Sequence, residues 1–325
     1  MRCFWDERQR LHAPTGEFFN GAMHPAAEHL GRVDSILGAL GPTVPAEDFG
    51  MEPLLRVHTG DYLAFLRNAH TNWLAAGRQG DAFPYTFPVV GRRPLKFGRV
   101  DADLGQYSFD TSTPIGPATW DAAYWSAQTA ISALQAVLDG ERSAFALCRP
   151  PGHHAGSDYL GGYSYLSNAA ICASAAGRRV AILDVDYHHG NGTQDIVGGR
   201  DGMAFASIHA DPEADYPFYW GHADESVGNI LNLPLPRGTD WSTYQAALNL
   251  ALDWIEKTEP ELLIVSYGAD THEADPISHF KLKTTDYAPM ARRIASLGLP
   301  TVIVMEGGYA VDALGANVAE FLSGF

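Results

Sequence analysis

Five short apolar runs restrict the fold more than any other feature: residues 144–147, 180–183, 203–208, 262–265 and 301–305, each rich in β-branched or aliphatic side chains and closed by polar residues or glycine. Runs this short predict strands rather than helices, and apolar side chains at consecutive positions predict strands buried on both faces. Stretches with helical spacing lie between them, notably 119–139 and 241–256. Strand alternating with helix predicts an α/β fold in which a central, mainly parallel sheet is flanked by helices. In 119–139, Thr119 is the expected N-cap, Asp121 an acid in the first turn and Gly140 the stop. Helical spacing also covers 53–69, whereas 77–94 and 105–117 read as loops. No linker or charge block divides the 325 residues, so one domain over 1–325 is expected.

The 46% hydrophobic and 18% charged residues suit a globular protein with a large core. A net charge of −16 argues against a nucleic-acid surface and suits a cationic small substrate, although solubility alone also explains it. Cys3, Cys148 and Cys172 form no CxxC pair, so neither a disulfide framework nor a thiolate metal site is expected. The first residues lack an apolar signal core, and no run approaches the ~20 apolar residues of a membrane helix. The expectation is a cytoplasmic enzyme with no membrane partner.

Polar groups follow each strand. Arg149-Pro150-Pro151-Gly152-His153-His154 follows the first, Asp184-Val185-Asp186-Tyr187-His188 the second, Gly268-Ala269-Asp270 another, and Glu306-Gly307-Gly308-Tyr309 the last. Ligands bind at the carboxyl edge of open parallel sheets, so these segments point to one site. Asp186 and His188, two apart in an extended chain, can face one ion together. Asp270 is the best third ligand, and two carboxylates with one imidazole leave a coordination position for water, as in catalytic zinc sites. The same donors would accept Fe(II), Co(II) or Mn(II). Asp184 suits a supporting role, accepting a hydrogen bond from a histidine.

Two adjacent histidines after a rigid Pro-Pro-Gly turn can be tuned apart by unlike partners, so that one is a base and the other a cation. The two glycines before Tyr309 allow a sharp turn that lets its hydroxyl donate to a developing oxyanion.

With these residues in hand, the chain resembles the zinc-dependent histone deacetylases, and among them the bacterial acetylpolyamine amidohydrolases. The resemblance rests on residues 149–155 with Gly161-Gly162-Tyr163, 183–195, Ser207-Ile208-His209, 268–276 and 305–309, with weaker support from His24-Pro25, Val57-His58 and Tyr62. It implies zinc on Asp186, His188 and Asp270, with Fe2+ or Co2+ as possible substitutes. His154 would be the general base, His153 its electrostatic partner oriented by Asp184, and Tyr309 the group that polarises the acetyl carbonyl. It also implies a structural K+ bound by oxygens at Asp184, Asp186, His188, Ser207 and Ile208.

Asn191 stands where many members carry a carboxylate, which should leave His154 less basic. Ser164 replaces a common Cys, and Tyr165 a common Phe. By the same resemblance, Tyr163 and Tyr216 flank a substrate tunnel, and Asp110 and Asp121 face a distal ammonium. The resemblance also implies that residues 77–97 are a dimerisation loop that narrows the active-site mouth. The implied activity is hydrolysis of N-acetylated polyamines or diamines, such as acetylputrescine and acetylcadaverine, by a homodimer; a protein acetyl-lysine deacetylase is the alternative.

Overall fold

The computed structural model describes residues 1–89 and 98–325. Among these residues nine strands form: β1 (Arg2–Phe4), β2 (Glu17–Phe19), β3 (Ala22–His24), β4 (Ser143–Ala146), β5 (Val180–Asp184), β6 (Met203–Ala210), β7 (Ile230–Leu235), β8 (Leu262–Tyr267) and β9 (Thr301–Met305). Seven make one sheet in the order β1-β4-β9-β8-β5-β6-β7, with every pair parallel, while β2 and β3 form a separate hairpin. The α/β architecture expected from the alternating runs is the one observed.

Strand periodicity explains why the runs are continuously apolar. Leu183, Val265 and Ile303 point to one face and pack with Leu248, Leu252, Tyr287, Met290, Val318 and Phe321. Ile182, Ile264, Val302 and Val304 point to the other, against Ala130, Ala133, Leu134 and Ala169. Helices Trp241–Lys257, Thr284–Ala295 and Val311–Leu322 cover the first face; Thr119–Leu138 and Asn168–Ala175 cover the second. Each fully buried aliphatic side chain contributes roughly 1.5–3 kcal/mol.

The structure corrects several local expectations. Thr119 is the first helical residue rather than the N-cap: the chain has already turned, and its hydroxyl accepts from the Gly116 N–H at 2.8 Å. The spacing at 53–69 breaks into helices Glu52–Leu55 and Gly60–Ala75, because Thr59 adopts extended backbone and caps the second through Tyr62 N–H. Strand β7 carries a proline and β1 has only three residues, so neither gives a continuous apolar signal. Part of the 77–97 loop, residues 90–97, lies outside the described residues. Among those described, no helix is long and apolar enough to cross a membrane.

Candidate active site

The site lies past the carboxyl ends of β4, β5, β8 and β9. Strand register aligns Asp184 with Ser266 on β8 and Ser207 on β6, so the segments leaving β5 and β8 start level. Asp186, His188 and Asp270 then converge, with one donor atom of each within 4.8 Å of the others. His188 Nδ1 lies 3.4 Å from Asp186 Oδ1 and 3.1 Å from Asp270 Oδ2. Backbone N–H groups orient both carboxylates: His188 and Gly307 donate to Asp186 at 2.9 and 2.8 Å, and Tyr187 donates to Asp270 at 2.9 Å.

This donor set fits a divalent ion. Two buried carboxylates this close destabilise each other, and burial together with the Asp186 charge pushes Asp270 up to about 7; a dication would stabilise both as anions. The room is made by glycine. A Cβ on Gly268 would stand 1.9 Å from Asp186 Oδ2. Gly268→Ala must therefore displace that carboxylate, and is expected to weaken metal affinity about tenfold or more in a competition titration with a chelating dye. Wild-type affinity in this variant would show that the carboxylate position is not critical.

The segment after β4 brings His153 and His154 side by side, ring centroids 4.0 Å apart. Their partners differ. His153 Nδ1 lies 3.1 Å from Asp184 Oδ2, and His154 Nδ1 lies 2.7 Å from Asn191 Oδ1. Burial alone would lower His153, but the Asp186 and Asp184 charges overcome it and hold the ring up at about 10. His154 faces a neutral amide, so burial and the charges of His153 and His188 push it well below the usual histidine range. Backbone N–H groups of Gly152 and His153 donate to buried Glu306 Oε2 at 2.7 and 3.1 Å, anchoring this turn to the end of β9.

A pocket of about 160 Å³ opens onto these groups, with His154 and His188 inside and Tyr163, Tyr216 and Tyr309 on its walls. Tyr163 stands edge-to-face with Tyr309 at 5.7 Å, and Tyr216 edge-to-face with His154 at 5.1 Å. Gly162 is required here, since a Cβ would meet His154 Cδ2 at 2.2 Å. Asp110 Oδ2 accepts from Gly162 N–H at 2.6 Å and from the Tyr216 hydroxyl at 2.9 Å, so it ties the two walls together. Asp121 remains an exposed acid in the first turn of helix Thr119–Leu138 and does not line the pocket. Ser207 bonds His209 Nδ1 at 2.8 Å, and Ile208 is buried beside it on β6.

Sequence reasoning missed four supporting groups. Glu17 from β2 lines the pocket and bonds Tyr163. Asp275 accepts from the N–H groups of Tyr309 and Ala310 at 2.7 and 3.2 Å. Arg32 lies under the Tyr309 ring, 4.8 Å from its centroid, and donates to the carbonyls of Gly308 and Glu306 at 2.7 and 2.6 Å. Glu28 sits between Arg32 and Arg149, accepting from each at 2.9 and 2.8 Å. An i,i+4 Glu–Arg pair ordinarily reads as a solvated helix face, so no sequence signal marked this one as buried.

A parallel α/β sheet that gathers paired carboxylates, histidines and a tyrosine at its carboxyl edge fits metal-assisted hydrolysis. Residues 24–325 match the family model for the histone deacetylase domain, and the chain belongs to the histone deacetylase family. It is 48% identical to acetylpolyamine amidohydrolase 1 of Pseudomonas aeruginosa, covering 100% of this chain and 99% of that protein. It is 41% identical to the acetylpolyamine amidohydrolase of Mycoplana ramosa, at 100% and 99% coverage. The crystal structure of an acetylpolyamine aminohydrolase from Burkholderia pseudomallei superposes with a TM-score of 0.95 at 38% identity, covering 100% of this chain and 98% of that one.

Proposed function

We propose that this protein hydrolyses N-acetylated polyamines or diamines, with acetylputrescine and acetylcadaverine as model substrates, to the free amine and acetate. The observation that carries the reading is an aromatic pocket with an acid, Glu17, in its wall, Asp110 bonded behind it, and, among the described residues, no basic side chain other than histidine lining it. Facing tyrosines accept a thin alkyl chain, and the acids favour a cationic end. The names of the full-length relatives support the same substrate class.

Asp186, His188 and Asp270 would hold zinc, which supplies Lewis acidity to a water and to the acetyl carbonyl. Because His154 Nδ1 is occupied by Asn191, its Nε2 takes the proton of the attacking water and then gives it to the departing amine. His153, held cationic by Asp184 and Asp186, adds positive charge beside the reacting carbonyl. The Tyr309 hydroxyl donates to the carbonyl oxygen as negative charge develops there; burial raises its pKa, so it stays protonated for that task. Tyr163 and Tyr216 bracket the chain, and Asp110 with Glu17 attract its distal ammonium; a direct role for Asp121 in this chain finds no support in its exposed position. A structural K+ near Asp184, Ser207 and Ile208, and a homodimer through residues 77–97, belong to the same proposal. Tyr85 and Val89 of that segment, 71% and 66% exposed, are the apolar surface a second copy would cover.

The test compares kcat/KM of the zinc-loaded enzyme on acetylcadaverine, on its uncharged analogue N-pentylacetamide and on an acetyl-lysine peptide. Acetylcadaverine is expected to exceed the neutral analogue by about tenfold and the peptide by about a hundredfold. A preference for the peptide would replace this reading with protein deacetylation.

A further inference from the structure

Hydrogen bonds leading outward from His154 run in one direction. Beyond the 2.7 Å contact of His154 Nδ1 with Asn191 Oδ1, Asn191 Nδ2 lies 3.4 Å from the Tyr159 hydroxyl, which lies 2.6 Å from Asp195 Oδ2. A carboxylate only accepts, so Tyr159 commits its single proton to Asp195 and presents lone pairs to Asn191. The amide must then turn its NH2 toward Tyr159 and its carbonyl toward His154. His154 is thereby required to carry its proton on Nδ1, leaving the Nε2 lone pair for the pocket. We propose that Tyr159 and Asp195 are positioning residues that fix the orientation of the Asn191 amide and, through it, the tautomer in which His154 can accept a proton.

The need for such a device follows from the residue at 191. A carboxylate accepts from Nδ1 at either oxygen, whereas an amide has two unlike ends. Turned over, Asn191 would donate to Nδ1 and leave the proton on Nε2, where it blocks proton uptake. Nothing at the His154 end prevents this, because imidazole can donate or accept. The choice is made at the outer end. Asn191 and Asp195 are four apart on helix Asn191–Val197, so both face Tyr159. Phe109 packs edge-to-face on Tyr159 at 5.6 Å, and the Gly156 N–H donates to the Tyr159 carbonyl at 3.0 Å. The Trp220 side chain also bonds Asp195, holding the carboxylate in place.

This inference rests on His154 being the base. Its test therefore reads the tautomer directly, by ring-nitrogen NMR of histidine-labelled, zinc-loaded protein, alongside kcat and KM. Wild type is expected to show His154 protonated on Nδ1 alone. In Tyr159→Phe a second tautomer appears and kcat falls about tenfold with KM held within about twofold. Asp195→Asn, a change at an exposed position, should act in the same direction, since an amide can donate to the Tyr159 oxygen and turn the hydroxyl proton toward Asn191. In an Asn191→Asp background, Tyr159→Phe should change kcat by less than about twofold, because a carboxylate has no orientation to lose. A single Nδ1–H tautomer with wild-type kcat in both Tyr159→Phe and Asp195→Asn overturns the proposal. Full activity in His154→Ala would instead overturn the assignment of the base and leave the tautomer measurement standing.

Discussion

His154→Ala is expected to lower kcat on an acetylated diamine about a thousandfold while leaving one zinc per chain. The metal should stay because His154 is outside the Asp186, His188 and Asp270 cluster, its ring 6.0 Å from that of His188. The chemistry should fail because no other pocket group in reach combines a free imidazole nitrogen with a depressed pKa. Burial and the neighbouring charges hold His154 well below the ordinary histidine value of 6.5, so the ring is neutral at pH 7. The acid limb of kcat/KM should accordingly fall below pH 6.5, with no contribution from His153, which is held up at about 10 and stays charged throughout. Zinc analysis and a pH profile of the two proteins check both parts. Activity within about tenfold of wild type would remove His154 from proton transfer.

Glu28→Gln is expected to destabilise the fold by on the order of 3 kcal/mol at pH 7. Burial alone would raise the Glu28 pKa, but Arg149 and Arg32, with His12 beyond them, overcome burial and hold it at about 2 against an ordinary 4.5. A carboxyl depressed on folding stabilises the native state above its unfolded pKa and loses that contribution as pH falls through the folded one. The difference between wild type and variant should therefore be full above pH 4.5 and shrink as pH falls toward 2. Urea titrations across that range read it directly, and equal stability at pH 7 would show that the two guanidiniums find other compensation. Arg32 also holds the Glu306 and Gly308 carbonyls, so the variant should slacken the turn that carries Tyr309.

The sheet and the metal cluster were legible for one physical reason: each ligand sits just past an apolar strand, and strands buried on both faces leave an unmistakable run of aliphatic residues. Asp186 and His188 share a face through simple alternation, and Asp270 follows a glycine that contacts Asp186. Glu28, Arg32 and Asp275 carried no such mark. They come from short helices and loops whose charged residues read as solvated, and only the closed tertiary structure turns them inward. Glu17 lies in a three-residue strand too short for periodicity to register. Asp110 was visible as an acid near the pocket, but its bonds to Gly162 and Tyr216 depend on contacts 52 and 106 residues away. Thr119 illustrates the opposite error: a residue with the right chemistry for a cap sits one position inside the helix, because the preceding turn had already set the backbone.

The position of β9 has a consequence for how the protein is made. Among the described residues it is the last strand along the chain, yet it lies between β4 and β8, so a ribosome-bound chain made through β8 but lacking β9 has a sheet in two pieces. About 155 residues separate the end of β4 from the start of β9, which at 5–20 residues per second means roughly 8–30 s of translation. β4 waits through that whole interval with an unpaired apolar edge, and β8 adds a second once residue 267 is made; such edges are the surfaces most prone to wrong pairing with other nascent chains. Insertion of β9 closes both edges at once and delivers Tyr309 to the pocket. Biosynthesis thus adds Tyr309 to the pocket late, and demand for chaperones should be concentrated in the translation of residues 147–300.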